Sequence, residues 1–199
     1  MTEPTTTQQQ QGEAVTRQGL LEYCRGALPD RIAHVIFWPI ATVGLLLDLW
    51  TKQAVFAALR DEPDQSRTII GGLLTFRLAL NDGAAFGIAS GRQAFLVGVS
   101  TVALVIILGV FLFGAARQRI VQVALGLFAA GVCGNLYDRA FNDGRVRDFI
   151  DVVYWPGRHW HTFNVADAML CVAVGLLVIA TLFTDPSCRK HDRPQKSAH

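Results

Sequence analysis

Two aspartates in the carboxyl half of the chain have the spacing of an acid-base pair. Asp148 precedes an apolar pair expected to dip into a membrane interface, and Asp167 begins a long apolar segment. A short hairpin between them brings both carboxylates together at the membrane surface. Two carboxylates that close cannot both ionise easily, so the pair holds an acid and a base. Such a pair can activate water and polarise a scissile carbonyl. The alternative is that both acids are solvated at the interface.

Polar residues accompany both acids. Asn164 lies three residues before Asp167, where it can cap a helix or hydrogen-bond a substrate; both interpretations stay open. Asn135, Asp138 and Arg139 stand at positions i, i+3 and i+4, so they share one helical face. They can form a hydrogen-bonded network there, or only mark a polar helix end.

A second pair of charges lies inside an apolar segment. Asp48 and Lys52 are four residues apart, with the acid on the amino-terminal side, the favourable order in a helix. From a helix end near residue 58, Lys52 is roughly 9 Å below the membrane surface and can snorkel to it. Asp48 lies deeper, where a lone charge costs about 2.5–3.5 kcal/mol. A self-neutralising pair that fixes the helix is preferred here over a catalytic role.

Long apolar blocks must position these residues. The chain is 51% hydrophobic, and a helix needs roughly 20 apolar residues to cross a bilayer. Residues 94–116 carry no charge and form the clearest span. Three further candidate spans are 32–58, 119–138 and 165–184. The expected fold class is therefore a mainly α membrane protein with four transmembrane helices.

Two outer loops join the spans. In the loop at 60–92, residues 74–80 alternate apolar and other side chains, which predicts a strand in a small sheet on the membrane surface. The loop at 139–164 ends in aromatic residues around a Pro-Gly turn, which suits the headgroup zone. Within it, Asp143 belongs to an Asn-Asp-Gly turn and is assigned to solvent.

The expected domain organisation is one membrane domain at 32–184, with a disordered cytoplasmic tail at 1–31 and a basic cytoplasmic tail at 185–199. Lys and Arg residues are nearly balanced between the two sides. The tight basic loop at 114–119 and the basic tail favour cytoplasmic termini, which makes the sheet extracytoplasmic.

Composition and motifs argue against other functions. A net charge of +2 is too small to indicate nucleic-acid binding. His159 and His161 alternate, but no HExxH motif accompanies them, so we predict no metal site.

Five stretches together resemble one family, the type II lipoprotein signal peptidases, which are bacterial membrane aspartyl endopeptidases. They are DLWTK at 48–52, NDGAAFG at 81–87, GNLYDR at 134–139, GRVRDF at 144–149 and FNVADA at 163–168. The resemblance covers about residues 34–184, and five motifs in the family's order make it specific.

The resemblance implies that Asp148 and Asp167 are the catalytic dyad. It further implies residues that line or brace the substrate site, namely Asn81, Gly83, Asn135, Arg139 and Asn164, and residues that support it, namely Asp48, Lys52 and Asp138. The implied substrate is a diacylglyceryl-modified prolipoprotein, cut before its lipidated cysteine without metal or organic cofactor. We expect a monomer in the bacterial inner membrane, contacting substrate and lipids, with its second loop and active site at the periplasmic face.

One position departs from the family. Arg147 stands just before Asp148, where we expect an apolar residue. Its charge could lower the pKa of Asp148, or its side chain could point to lipid headgroups.

Three other functions compete with this one. A presenilin-like protease would fit the Tyr-Asp pair at 137–138, but it needs a Gly-x-Gly-Asp stretch that the sequence lacks. A small proton-coupled transporter would also place acids within spans, although transporters tend to show repeats and midplane acids. A non-enzymatic scaffold would tolerate changes at both aspartates.

Overall fold

Four long helices and one small sheet form the part of the chain that the structure describes. The computed structural model describes residues 28–83, 91–113, 118–155 and 158–183. Its elements are α1 (Arg31–Leu59), β1 (Ser66–Ile70), β2 (Leu74–Asn81), α2 (Gln93–Leu112), α3 (Arg119–Phe141), β3 (Val146–Trp155), β4 (Arg158–His159) and α4 (Val165–Leu182). All four helices are long and apolar enough to cross a membrane, which confirms the predicted spans. The predicted tails lie outside the described residues, except for residues 28–31.

Helix α3 is the centre of the bundle. It packs against α1, α2 and α4, and half of its most apolar window is buried, against less than a quarter in the other helices. Its buried face is built largely from small residues, among them Gly126, Ala129, Ala130, Gly131 and Gly134. Lipid tails are as apolar as leucine, so membrane helices associate by close packing, which small residues permit.

Gly131 offers a test of this packing. A Cβ atom there would lie 2.7 Å from the backbone oxygen of Ala166 and 2.7 Å from Leu170 Cγ, both from the α4 side of the contact. We expect Gly131→Ala to destabilise the protein by about 1–3 kcal/mol, the usual cost of overpacking. Thermal melting in detergent measures it, with Gly98→Ala as control because a Cβ there meets nothing within 4 Å. Equal melting temperatures for both variants would contradict the close approach.

The two outer loops form one sheet. Its order is β1-β2-β3-β4 and every neighbouring pair is antiparallel. The strand predicted at 74–80 is present as β2. The sequence predicts a hairpin in the second loop without assigning its strands; β3 and β4 lie there, and β3 pairs with β2. The sequence of β3 does not alternate apolar and polar residues, which explains the missed strand. The sheet contacts α1 through β2 and β3, and α3 through β3.

A bulge in β2 changes which side chains face inward. The pairing of β2 with β3 shifts between Phe76 and Ala79, so the predicted alternation does not continue to the end of the strand. Leu80, predicted to be on the apolar face, is 47% exposed. Asn81, the next residue, is turned toward Asp148 and donates to its carboxylate.

Candidate active site

Asp148 in β3 and Asp167 in the first turn of α4 meet at Asn164. The side-chain amide of Asn164 donates to Asp148 Oδ1 at 2.7 Å, and its backbone N–H donates to Asp167 Oδ2 at 3.3 Å. They meet because the chain after β4 runs back along β3, where Phe163 pairs with Ile150. Asn164, the residue that caps the start of α4, therefore lies beside Asp148. The two carboxylates come together, as the short hairpin between them predicts.

Asn164 also caps helix α4. Its Oδ1 accepts from the backbone N–H of Asp167 at 3.0 Å, which completes a reciprocal capping box with that residue. Its Nδ2 reaches Asn135 Oδ1 at 3.1 Å as well as Asp148. Capping is therefore present, and the same side chain also holds the carboxylate of Asp148, whereas the carboxylate of Asp167 is held by the backbone N–H of Asn164.

Two further amides complete the contacts of the acids. Asn135 Nδ2 donates to Asp167 Oδ1 at 2.8 Å, and Asn81 Nδ2 donates to Asp148 Oδ2 at 3.0 Å. Each carboxylate thus accepts hydrogen bonds on both oxygens, which fixes its orientation. The donors come from β2, α3 and the start of α4.

Burial and charge both act on Asp148. Its side chain is almost fully buried, and this burial, followed by the negative charge of Asp167, raises the pKa of Asp148 to about 6. Hydrogen bonds from Asn81 and Asn164 and the charge of Lys52 act in the opposite direction. Asp148 therefore keeps its proton at a pH where an ordinary aspartate has lost it.

This pKa makes stability depend on pH. Between about pH 4 and 6 the folded state holds the Asp148 proton while the unfolded state has released it, so folding stability falls as pH rises through that window. Across this window the free energy of unfolding falls by about 2–3 kcal/mol. Below the window both states are protonated, and above it both are ionised.

Asp148→Asn should remove this pH dependence. We expect the melting temperature of Asp148→Asn, relative to the wild type, to rise from pH 4 to pH 6 and then to stay level. A difference in melting temperature that is the same at every pH reflects hydrogen bonds that the new asparagine side chain alters. Asp143→Asn is the matched control, because the Asp143 side chain is 90% exposed, as assigned from its turn. A relative melting temperature that does not change with pH would contradict a protonated Asp148.

A layer of buried charges lies around the two acids. Lys52 Nζ is 2.8 Å from Asp48 Oδ2 and 3.2 Å from Asp138 Oδ2, and it donates to Asn135 Oδ1 at 3.1 Å. The prediction that Lys52 snorkels is wrong, since its side chain is fully buried among these three partners. Asp48 Oδ1 accepts from the backbone N–H of Ala166 at 2.8 Å, which holds α1 to the start of α4.

The predicted network of Asn135, Asp138 and Arg139 is present in part: Arg139 Nη1 donates to the backbone oxygen of Asn135 at 3.5 Å, and Lys52 joins Asn135 to Asp138. Asp138 binds Lys52 and Arg147, whereas Arg139 Nη2 donates to the backbone oxygen of Gly83 at 2.8 Å. Gly83 in turn donates its N–H to Asn81 Oδ1 at 2.9 Å. Arg139 therefore supports the loop that holds Asn81, and Lys52 joins Asn135 to Asp138.

Arg147 has neither of the two roles suggested for it. Its Nε and Nη2 donate to Asp138 Oδ1 at 3.0 and 2.6 Å, so its charge is engaged by that carboxylate. The side chain is only 16% exposed, which keeps it from the headgroups. The pKa of Asp148 is raised, not lowered, and burial is the main cause.

A cavity of about 700 Å³ adjoins the acids. Its polar lining includes Asn81, Asn135, Arg139 and Asp167, and most of its remaining surface is apolar. Helix α2 contributes Leu96, Val99 and Ser100, three residues that no sequence motif marks. Their i, i+3, i+4 spacing marks one helix face, but a span that is apolar all round gives no sign of which face matters.

The chain is similar to known proteins of one family. The family described as Signal peptidase (SPase) II matches residues 40–183. The lipoprotein signal peptidase of Geobacter metallireducens is 40% identical over 147 residues, covering 72% of this chain and 88% of that protein. The lipoprotein signal peptidase of Rhodococcus jostii is 36% identical over 165 residues, covering 78% of each chain.

Solved structures show the same fold. A bacterial membrane enzyme determined by the in meso method superimposes with a TM-score of 0.64 at 31% identity, over 80% of this chain and 92% of that one. A second such enzyme gives a TM-score of 0.63 at 33% identity, over 73% and 92% of the two chains. With the family match spanning most of the membrane body, this chain belongs to the signal peptidase II family.

Proposed function

We propose that this protein is an aspartic endopeptidase that removes the signal peptide from diacylglyceryl-modified prolipoproteins, cutting before the lipidated cysteine. Membership of the signal peptidase II family supports the reaction. The observation that carries the aspartic mechanism is the joining of Asp148 and Asp167 through Asn164 beside a largely apolar cavity.

The two acids divide the chemistry between them. Up to about pH 6 Asp148 holds a proton beside Asp167, which gives the pair an acid and a base. The ionised carboxylate takes a proton from water, whose oxygen bonds to the scissile carbonyl carbon, while the protonated carboxyl gives its proton to the carbonyl oxygen. The second carboxylate then takes a proton back from the tetrahedral intermediate as its C–N bond breaks, and the first carboxyl gives its proton to the leaving amine, which restores the starting pair. Asn81, Asn135 and Asn164 hold the carboxylates in place, so little reorganisation is needed when charge develops.

The cavity fits a substrate that is itself in the membrane. Its walls come from α2, α3 and α4, and α2 and α4 both pack on α3 while having few described contacts with each other. The apolar signal helix and the acyl chains can therefore reach Asp167 from the bilayer, between α2 and α4. Arg139 lines the same cavity, so its guanidinium can donate to a substrate carbonyl.

The proposed location is the bacterial inner membrane, with both termini cytoplasmic and the acids at the periplasmic face. An even number of spans supports placing both termini on one side, with the sheet and the dyad on the other. The proposed functional unit is residues 32–184, which the family match nearly covers. The proposed functional form is a monomer.

Cleavage in detergent tests this function. We expect the purified protein to cut a synthetic diacylglyceryl lipopeptide before its lipidated cysteine, and to leave the same peptide without lipid intact. A proton-coupled transporter, the alternative, needs a gradient and releases no product under these conditions. Intact lipopeptide after prolonged incubation with folded protein would overturn the proposal.

A further inference from the structure

Arg147 holds the strand that carries Asp148. Its backbone N–H donates to Asp138 Oδ2 at 3.0 Å, while Nε and Nη2 donate to Asp138 Oδ1. Asp138 is fully buried and belongs to α3. Both the main chain and the side chain of the residue next to Asp148 are therefore fastened to the central helix.

The pairing of this strand is irregular at that point. Asp148 is paired with Ala79 of β2, and the ladder between the two strands shifts between Phe76 and Ala79. The bulge interrupts the ladder on one side of Asp148, and the pairing with β2 continues on the other side through Arg147 and Val146. The contact with Asp138 adds a second hold on this strand end, from helix α3, through Arg147.

The same contact reaches the second acid. Asp138 Oδ2 also lies 3.2 Å from Lys52 Nζ, which donates to Asn135, and Asn135 donates to Asp167. Two buried acids, Asp48 and Asp138, are thereby balanced by two cations, Lys52 and Arg147. Removing the guanidinium leaves Lys52 as the one cation paired with Asp138 among the described residues, so we expect that lysine to move toward Asp138 and away from Asn135.

We propose that Arg147 is a positioning residue, which sets the geometry of Asp148 and Asp167 through its bonds to Asp138. This inference rests on the proposed function of the two aspartates. An apolar residue at 147 keeps only the backbone bond to Asp138, whereas this chain adds two charge-assisted bonds, which are stronger than neutral ones.

The experiment compares Arg147→Leu, Arg147→Lys and the control Arg145→Leu in lipopeptide cleavage. Arg145 lies two residues away and carries the same charge, but its side chain is 42% exposed and forms a 3.8 Å ion pair with the exposed Asp143. We expect Arg147→Leu to lower kcat by about tenfold or more, as for other residues that orient reacting groups. KM should stay within about twofold, because the cavity walls are unchanged. Arg147→Lys should recover part of kcat, and Arg145→Leu should match the wild type.

A double-mutant cycle tests the route through Asp138. If Arg147 acts through that carboxylate, Asp138→Asn with Arg147→Leu should lose no more kcat than Asp138→Asn alone. If the losses in kcat of the two single variants add up in the double variant, the inference is overturned. It is also overturned if the activity of Arg147→Leu falls only in proportion to its folded fraction.

The same assay separates this inference from the proposed function. If the wild type cuts, Asp148→Asn does not, and Arg147→Leu has the wild-type kcat, the inference fails and the proposed function stands. If the folded wild type does not cut the lipopeptide, the proposed function fails and the inference falls with it.

Discussion

Asp148→Asn and Asp167→Asn should each reduce lipopeptide cleavage by about 10³-fold or more, while both proteins stay folded. An asparagine can neither take a proton from water nor give one to the carbonyl oxygen, so either change removes one half of the acid-base pair. Because the two acids act as a unit, the double variant should be scarcely slower than either single variant. Cleavage rates in detergent, with folding checked by thermal melting, measure the effect.

Asp143→Asn is the control for this result. It changes the same residue type in the same loop, yet Asp143 is exposed and far less constrained than Asp148. It should cleave at the wild-type rate. A folded Asp148→Asn or Asp167→Asn that keeps the full rate would show that the family fold is present without this dyad, and the search would move to Asp138 and Asp48.

The sequence predicts the spans well because membrane helices must satisfy their backbone internally and be apolar along their length. The strand at 74–80 was predicted because its sequence alternates apolar and other residues, which gives the strand one apolar face. Strand β3 was not, since its residues point to the helices, to Asn164 and to Asp138 rather than to one apolar face. The bulge that turns Asn81 inward also depends on pairing with β3, which no local pattern reveals.

The site was predicted unevenly for a similar reason. Spacing brings Asp148 and Asp167 together across a short hairpin, and the family motifs mark their amide partners. Neither the spacing nor the motifs predict the long-range contacts. Lys52 hydrogen-bonds Asn135, which is 83 residues away in the sequence, and Asp48 accepts from Ala166, which is 118 residues away. An i, i+4 pair within one helix indicated only that Asp48 and Lys52 neutralise each other. The structure shows that the same pair also connects α1 to α3 and α4.

Lys52 carries more of the folding energy than its place in a helical ion pair suggests. It is the only lysine among the described residues, and its ammonium group meets two buried carboxylates and Asn135. Lys52→Met keeps a similar length and apolar stem but leaves Asp48 without its cation. Breaking a buried pair by removing one partner costs about 3–5 kcal/mol, because a charge stays buried and uncompensated.

We therefore expect Lys52→Met to lower the melting temperature in detergent by more than any other single change considered above, and to slow cleavage through the loss of the contact to Asn135. Arg60→Met, at the exposed end of α1, should have little effect. Adding Asp48→Asn to Lys52→Met should recover part of the stability, since it removes the stranded charge. If the double variant melts below Lys52→Met, the loss comes from packing and hydrogen bonds instead of charge, and the buried ions would have to be assigned another role than mutual compensation.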